Sequence, residues 1–239
     1  MTDKTDNTHK TQDEFDVRNF FKRWPKFYFF VATVFGPLMF SGLSGKKFLE
    51  KYPRLGKTLN LGSGARVVGK GIINVDIHAY PGVEIVADAC VVPLPDGSVA
   101  RIISDNVLEH VKEPVKAVAE MHRLLEIGGL VYVATPFCYP YHSSPSDFTR
   151  WTSQGLIQLF NNFEVVEIGV RAGPFSSLTV NLNHLFATIF SFGSTKLYSL
   201  LLNLVMFVTF PIKLPDIIFN RWPKADIMAA QLYCVMRKK

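Results

Sequence analysis

Cysteine is scarce. Cys90, Cys138 and Cys234 are the only three in 239 residues, and no two form a CxxC pair. That spacing favours a reducing compartment over a disulfide framework and gives no metal signature. No secretory leader pattern is evident. The first fourteen residues, MTDKTDNTHKTQDE, read as a polar disordered tail, and no small-residue cleavage site follows the basic, apolar stretch after them. Charge is almost missing from Ala172 to Ile212, where Lys196 stands alone. The basic residues sit with apolar faces and not in a separate groove, which argues against a nucleic-acid partner. The glycine-rich turn LNLGSG also lacks something: the third glycine of a GxGxxG pattern would fall at Val67.

What is present is apolar and unevenly basic. Hydrophobic residues make up 48% of the chain, mean hydropathy is +0.17 and the net charge is +6. From Phe15 to Lys57 there are nine Lys or Arg against Asp16 and Glu50, so the rest of the chain is near neutral. Val17, Phe20, Phe21, Trp24, Phe27, Tyr28 and Val31 recur at helical spacing with Arg18, Lys22, Arg23 and Lys26 between them. The pattern predicts an amphipathic helix at an anionic membrane surface, interrupted at Pro25. An uncharged run follows from Phe27 to Gly45, broken by Gly36-Pro37. The hexapeptide FKRWPK at 21–26 returns as FNRWPK at 219–224, each beside an apolar segment, with Trp next to basic residues as at a headgroup layer.

From Lys57 to Arg171 short apolar runs alternate with helical patterns. The spacing predicts strands at Thr58–Leu61, Ile72–Asp76, Glu84–Ala87, Arg101–Ser104, Leu130–Thr135 and Glu164–Val170, with a last strand at Gln231–Met236. A helix is expected to start near Pro114 and stop at Gly128-Gly129, and a second to run from Thr152 to Phe160. The expectation is an α/β fold, a Rossmann-like, mostly parallel sheet with helices on both faces. Its parts are a tail (1–14), N-terminal amphipathic and apolar helices (15–55), a core (56–171), an apolar helical insert (172–222) and the last strand (223–239). Both ends of the insert join one sheet, so a surface-lying or re-entrant hairpin is easier than two spans. Burial of the insert against the core is the alternative.

Gly62 and Gly64 end the first strand, where α/β sheets bind ligands and where glycine lets a ligand approach the backbone. Asp76 ends the second strand and is placed to accept from both ribose hydroxyls. It lies 12 residues past Gly64, against about 20 in the dinucleotide fingerprint. Residues 65–71 are too few for a full helix whose N-terminus would carry a pyrophosphate. The short turn therefore favours a nucleoside without phosphates.

The pieces LNLGSG, NVDI, VADACVVPLPDGSVARIISDNVLEHV, AVAEMHRLLEIGGLVYVATP and YPYHSSPSDFTRWT follow one another from Thr58 to Thr152. In this order they resemble the class I S-adenosylmethionine-dependent methyltransferases, especially the type 11 group. The resemblance implies seven strands with the last antiparallel, the insert between strands six and seven, and S-adenosyl-L-methionine as cofactor. It implies that Gly62, Ser63 and Gly64 line the methionine and ribose, and that Asp76 binds the ribose diol. Asp88 would accept from the adenine amino group, with Ala89 giving a backbone contact, and Asn106, Val107 and His110 would border the sulfonium. The missing first helix after Ala65 departs from the family, and Arg66 is a candidate to hold the cofactor's carboxylate end.

Methyl transfer from a sulfonium needs alignment above all, and a hydroxyl acceptor also needs a base. The loop TPFCYPYHSSPSDFTRWT packs His142, Asp147 and Arg150 with Tyr139, Tyr141 and Trp151. His142 is the expected base and Asp147 its orienting partner, while Arg150 would meet an anionic group and the aromatics a sugar ring. A loop in which Asp147 and Arg150 simply pair is the alternative. The leading expectation is O-methylation of a glycan or lipid-linked cell-envelope acceptor, by an enzyme peripheral or re-entrant at the cytoplasmic face of a membrane. The others are methylation of an apolar small molecule such as a quinone precursor, and a catalytically silent membrane-bound scaffold.

Overall fold

The computed structural model describes residues 31, 34–64, 68–142 and 146–239. The expected tail, the amphipathic helix up to residue 30 and Arg66 lie outside the described residues. A short helix α1 (Gly45–Lys51), capped by the Ser44 hydroxyl, precedes β1 (Thr58–Leu61), β2 (Ile72–Asp76), β3 (Ile85–Val86) and β4 (Val99–Asp105). Then come α2 (Pro114–Leu124), β5 (Leu125–Pro136), α3 (Ser153–Leu159) and β6 (Phe163–Ala172). Next are α4 (Pro174–Phe190), α5 (Thr195–Thr209), the single turn α6 (Asp216–Phe219) and β7 (Gln231–Lys238).

The seven strands form one sheet in the order β3-β2-β1-β4-β5-β7-β6. β1 to β5 pair in parallel, with Leu59 opposite Ile73 on one side and Ile102 on the other. β7 is antiparallel to both β5 and β6. Alternation along the strands sends side chains to two cores. Leu59, Leu61, Ile102, Val131 and Val133 meet Met121 and Leu124 of α2 and Leu156 of α3 on one face. Ile103, Tyr132, Tyr233 and Val235 meet Phe48 of α1 on the other. The expected architecture is therefore the observed one, with the insert between the sixth and seventh strands.

One boundary differs. α2 stops at Leu124 and not at Gly128-Gly129, because Leu125 is already extended and buried, and it pairs with Val99 ahead of the glycines. Gly128, with φ +72°, lies inside β5, where the register against β4 shifts between Val99 and Arg101. The described end of the Phe27–Gly45 run also departs from a helical span. It breaks at Gly36-Pro37, then Phe40 bridges Ala172 and the Gly42 N–H donates to the Arg171 carbonyl at 3.1 Å.

The insert is a helical pair with an unusual division of residues. The face α4 turns inward carries Ser176, Ser177, Thr179, Val180, Asn183 and Ala187, while Leu178, Leu182, Leu185, Phe186 and Ile189 are exposed. α5 has no buried residue at all. A turn with Phe192 and Gly193 at positive φ joins the two, and Ser194 caps α5 by accepting from Leu197. The α4 N-terminus has only Gly173 as its cap, and Asp216 does the work instead. Its carboxylate accepts from the N–H groups of Phe175 (3.0 Å) and Ser176 (2.7 Å). A Cβ at Gly173 would lie 2.4 Å from the Asp216 Oδ1 atom, so the close approach demands glycine. Among the described residues, Thr195–Lys213 is the one helical stretch long and apolar enough to cross a membrane.

Candidate active site

The β1 turn is shaped by two glycines with positive φ, Gly62 at +66° and Gly64 at +53°. A Cβ on Gly62 would come within 2.4 Å of the Val107 side chain, whereas one on Gly64 would meet open space. The first glycine thus serves packing of the turn on Val107, and the second leaves a free approach to the backbone. Ser63 is buried in the same turn, its N–H bonded to the Val75 carbonyl at 3.1 Å. Asp76, at the end of β2, accepts from the Gly64 N–H at 2.7 Å and the His78 N–H at 2.9 Å. Each carboxylate oxygen takes one backbone donor and retains acceptor capacity for a ribose hydroxyl. A nucleoside fits this cradle by its donor and acceptor chemistry. Residues 65–67, next in the chain after Gly64, lie outside the described residues.

Asp88 sits beyond β3, exposed, with its Oδ1 accepting from the Cys90 N–H at 2.8 Å, and Ala89 packs on the core beside it. Asn106 follows β4 in the left-handed region at φ +59°, its N–H held by the Ala134 carbonyl at 2.9 Å. A non-glycine residue there is strained, and such strain concentrates at functional positions. The 3-10 turn Leu108–His110 follows directly and presents His110. The ends of β1, β2 and β4 therefore bring Gly62, Ser63, Gly64, Asp76, Asn106 and Val107 to one rim of the sheet, as parallel strands require.

The loop after β5 folds over the same rim. Asp147, almost fully buried, forms a two-pronged ion pair with Arg150 and also accepts from the His142 N–H at 2.8 Å. Its Oδ2 lies 3.3 Å from the His142 Nδ1. Burial works to raise the Asp147 pKa, but the Arg150 fork and the His142 N–H outweigh it and hold the carboxyl below its usual range. Burial lowers the His142 pKa, with Asp147 pulling the other way. The imidazole is therefore neutral near pH 7 and able to accept a proton. Tyr139 meets the His142 ring edge-on at 5.1 Å, and Tyr141 is exposed beside it.

Two residues of this loop stand elsewhere than their expected roles require. Arg150 donates to Asp147 and to the carbonyls of Tyr139, Pro140 and Thr149. Its donors are taken up within the loop, so the pairing alternative describes it better than contact with an acceptor anion. Trp151 packs on the core and lines a groove between α2 and α3 with Val115, His122 and Phe163, a groove that Tyr139 and Tyr141 do not line.

Glu109 is a site residue that sequence reasoning missed. It is fully buried, and among the described residues neither carboxylate oxygen has a hydrogen-bond partner. Burial pushes its pKa up to about 8, against the pull of its own backbone N–H and of Arg150. The available signal was an acid within the apolar run NVLEHV, next to a histidine already singled out. His110 and His142 face each other across it with ring centroids 5.1 Å apart. The insert reaches the site too. Ser177 and Asn181 of α4 donate to the Cys138 carbonyl of the loop at 3.0 and 3.4 Å. A cavity of about 630 Å³ lies away from this rim, along β6 and against Lys51, Arg221 and Trp222.

Residues 65–133 match a family model described as a methyltransferase domain. Among curated proteins, the chain is 40% identical over 57 residues to an uncharacterized 37.1 kDa protein in a transposon of Streptomyces fradiae, covering 23% of this chain and 16% of that one. Among solved structures it resembles a candidate sarcosine dimethylglycine methyltransferase from Galdieria sulphuraria. The TM-score is 0.52 at 13% identity, over 88% of this chain and 96% of the other. It also resembles a Haemonchus contortus phosphoethanolamine N-methyltransferase in complex with S-adenosyl-L-methionine. There the TM-score is 0.50 at 15% identity, over 95% of this chain and 60% of that one. These two likenesses establish the fold. With the sheet order, these likenesses show that the chain has the fold of those methyltransferases, and its residues 65–133 are similar to a methyltransferase domain.

Proposed function

We propose that the chain O-methylates a hydroxyl of a lipid-linked glycan at a membrane surface. In this reading Gly62, Ser63, Gly64 and Asp76 hold the cofactor's ribose and methionine, Asp88 and Ala89 its adenine, and Asn106, Val107 and His110 border the sulfonium. The bound cofactor supplies an electrophilic methyl group. The site's own residues would align the acceptor oxygen toward that methyl group and keep water out. His142 Nε2 takes the hydroxyl proton as the oxygen–methyl bond forms, and Asp147 fixes the imidazole through Nδ1. Tyr139 and Tyr141 offer faces to a sugar ring.

One observation carries the acceptor class: the apolar-out helical pair is hydrogen-bonded to the loop that holds His142. Small and polar residues inside with large apolar residues outside reverse the usual surface-helix pattern and suit contact with lipid. A substrate embedded in that lipid would reach the His142 loop without leaving the membrane. The basic N-terminal segment and the Trp222–Lys224 stretch would add headgroup contacts.

The test is to incubate purified protein with methyl-labelled cofactor and a membrane extract. Label is expected in the lipid-linked glycan fraction, and His142→Ala should cut its rate by roughly 100-fold or more while S-adenosylhomocysteine affinity stays within two-fold. Label confined to water-soluble molecules or to protein would contradict the acceptor assignment.

A further inference from the structure

We infer that Glu109, His110 and His142 form a binding site for a divalent transition-metal ion. Each offers one ligand atom, and the three atoms lie within 4.8 Å of one another. His110 Nδ1 is 2.5 Å from the Ser146 carbonyl, so that nitrogen carries the proton and Nε2 keeps its lone pair. That Nε2 lies 3.8 Å from Glu109 Oε1. His110 is thus oriented as metal-ligating histidines are, with the far ring nitrogen bonded to a carbonyl or carboxylate. His142 Nδ1 lies 3.3 Å from the Asp147 carboxylate and 3.5 Å from the Arg150 Nη2, and its Nε2 lies 3.9 Å from the same Glu109 oxygen.

The nitrogen–oxygen separations are too long for hydrogen bonds and suit atoms around a shared ion. Glu109 supplies the independent pointer. A fully buried carboxylate with no hydrogen-bond partner carries a large desolvation cost, and a cation between it and two neutral imidazoles removes that cost. Two histidines and one carboxylate form a donor set used for zinc and other first-row divalent ions, and it leaves coordination positions open.

The consequence for catalysis rests on the methyltransferase reading, while the site itself does not. An ion held by His142 Nε2 would occupy the lone pair that otherwise takes the hydroxyl proton, so ion binding and the base role would exclude one another.

The experiment uses the full chain, stripped with a chelator and titrated with Zn²⁺ by calorimetry. Co²⁺ absorption serves as a second readout of nitrogen-and-oxygen coordination. One equivalent is expected to bind. Loss of an outer-shell partner alone costs about 10–100-fold in affinity, so Glu109→Gln and His142→Ala should each lose at least that much, and His78→Ala should match wild type. Glu109→Gln keeps the shape of the buried side chain. Should it still unfold, His142→Ala, on a partly exposed loop, carries the test. Failure of folded wild-type protein to bind Zn²⁺, or unchanged affinity in these variants, would overturn the site. S-adenosylhomocysteine titrated into the same preparations reports separately on the methyltransferase reading.

Discussion

β5 and α5 are both strongly apolar in sequence, yet they end in opposite environments. From Val131 to Ala134 every β5 residue is completely buried, flanked by β4 and β7 and covered on both faces. α5 carries Leu200, Leu204, Phe207 and Val208, all exposed, and buries nothing. Apolar composition reports a preference for leaving water, not the place where that preference is met. In β5 the sheet itself supplies the cover. In the helical pair, small residues such as Ser176 and Ala187 take the contact with the protein, and the large apolar residues are left exposed.

The sharpest way to break this contrast is to make the same substitution on both sides of it. Leu124→Ala removes a fully buried side chain from the sheet's core and should cost about 2–5 kcal/mol. Leu204→Ala, on α5, should stay within roughly 0.5 kcal/mol. Urea titrations of the two variants decide the point, and a large cost at Leu204 would mean that α5 is covered by protein.

Lipid binding gives a contrast of the opposite sign. Leu204→Glu with Phe207→Glu should leave folding stability unchanged and weaken flotation with anionic vesicles by about 100-fold, from ~3 kcal/mol or more of lost apolar contact. A wild-type chain that stays off vesicles at low salt, or a double variant that floats equally well, would remove the lipid surface from the account.

A smaller effect concerns how the helical pair is fastened. Asp216→Ala strips the cap from the Phe175 and Ser176 N–H groups and should cost about 1–3 kcal/mol. Faster hydrogen exchange should be confined to the α4 N-terminus. Loss of structure across β5 and β7 instead would show that the insert and the sheet unfold together.

Much of the sheet was legible because strands buried on both faces read as short apolar runs bounded by turn residues. β1 and β2 fell where their patterns placed them, and the Thr152 cap fixed the start of α3. The stop of α2 was not legible. Glycines outside a strand and inside one look alike until pairing is known, and Val99 opposite Leu125 decides it. At the site, the Gly62–Gly64 turn and Asp76 stand at neighbouring strand ends, where the sequence spacing placed them. Glu109 was not legible, since only burial without a partner distinguishes it from an ordinary surface acid. The choice between the two readings of Arg150 was closed to the sequence for a related reason. Its charge is visible in sequence, but the loop carbonyls that use up its donors are not.

Calorimetric titration of S-adenosylhomocysteine into wild-type protein and Asp76→Asn tests the central claim most directly. The account predicts saturable one-to-one binding to wild type and a loss of about 10- to 100-fold in the variant, the cost of one charge-assisted hydrogen-bond pair to the ribose. No binding by well-folded wild-type protein, or equal binding by both, would contradict it.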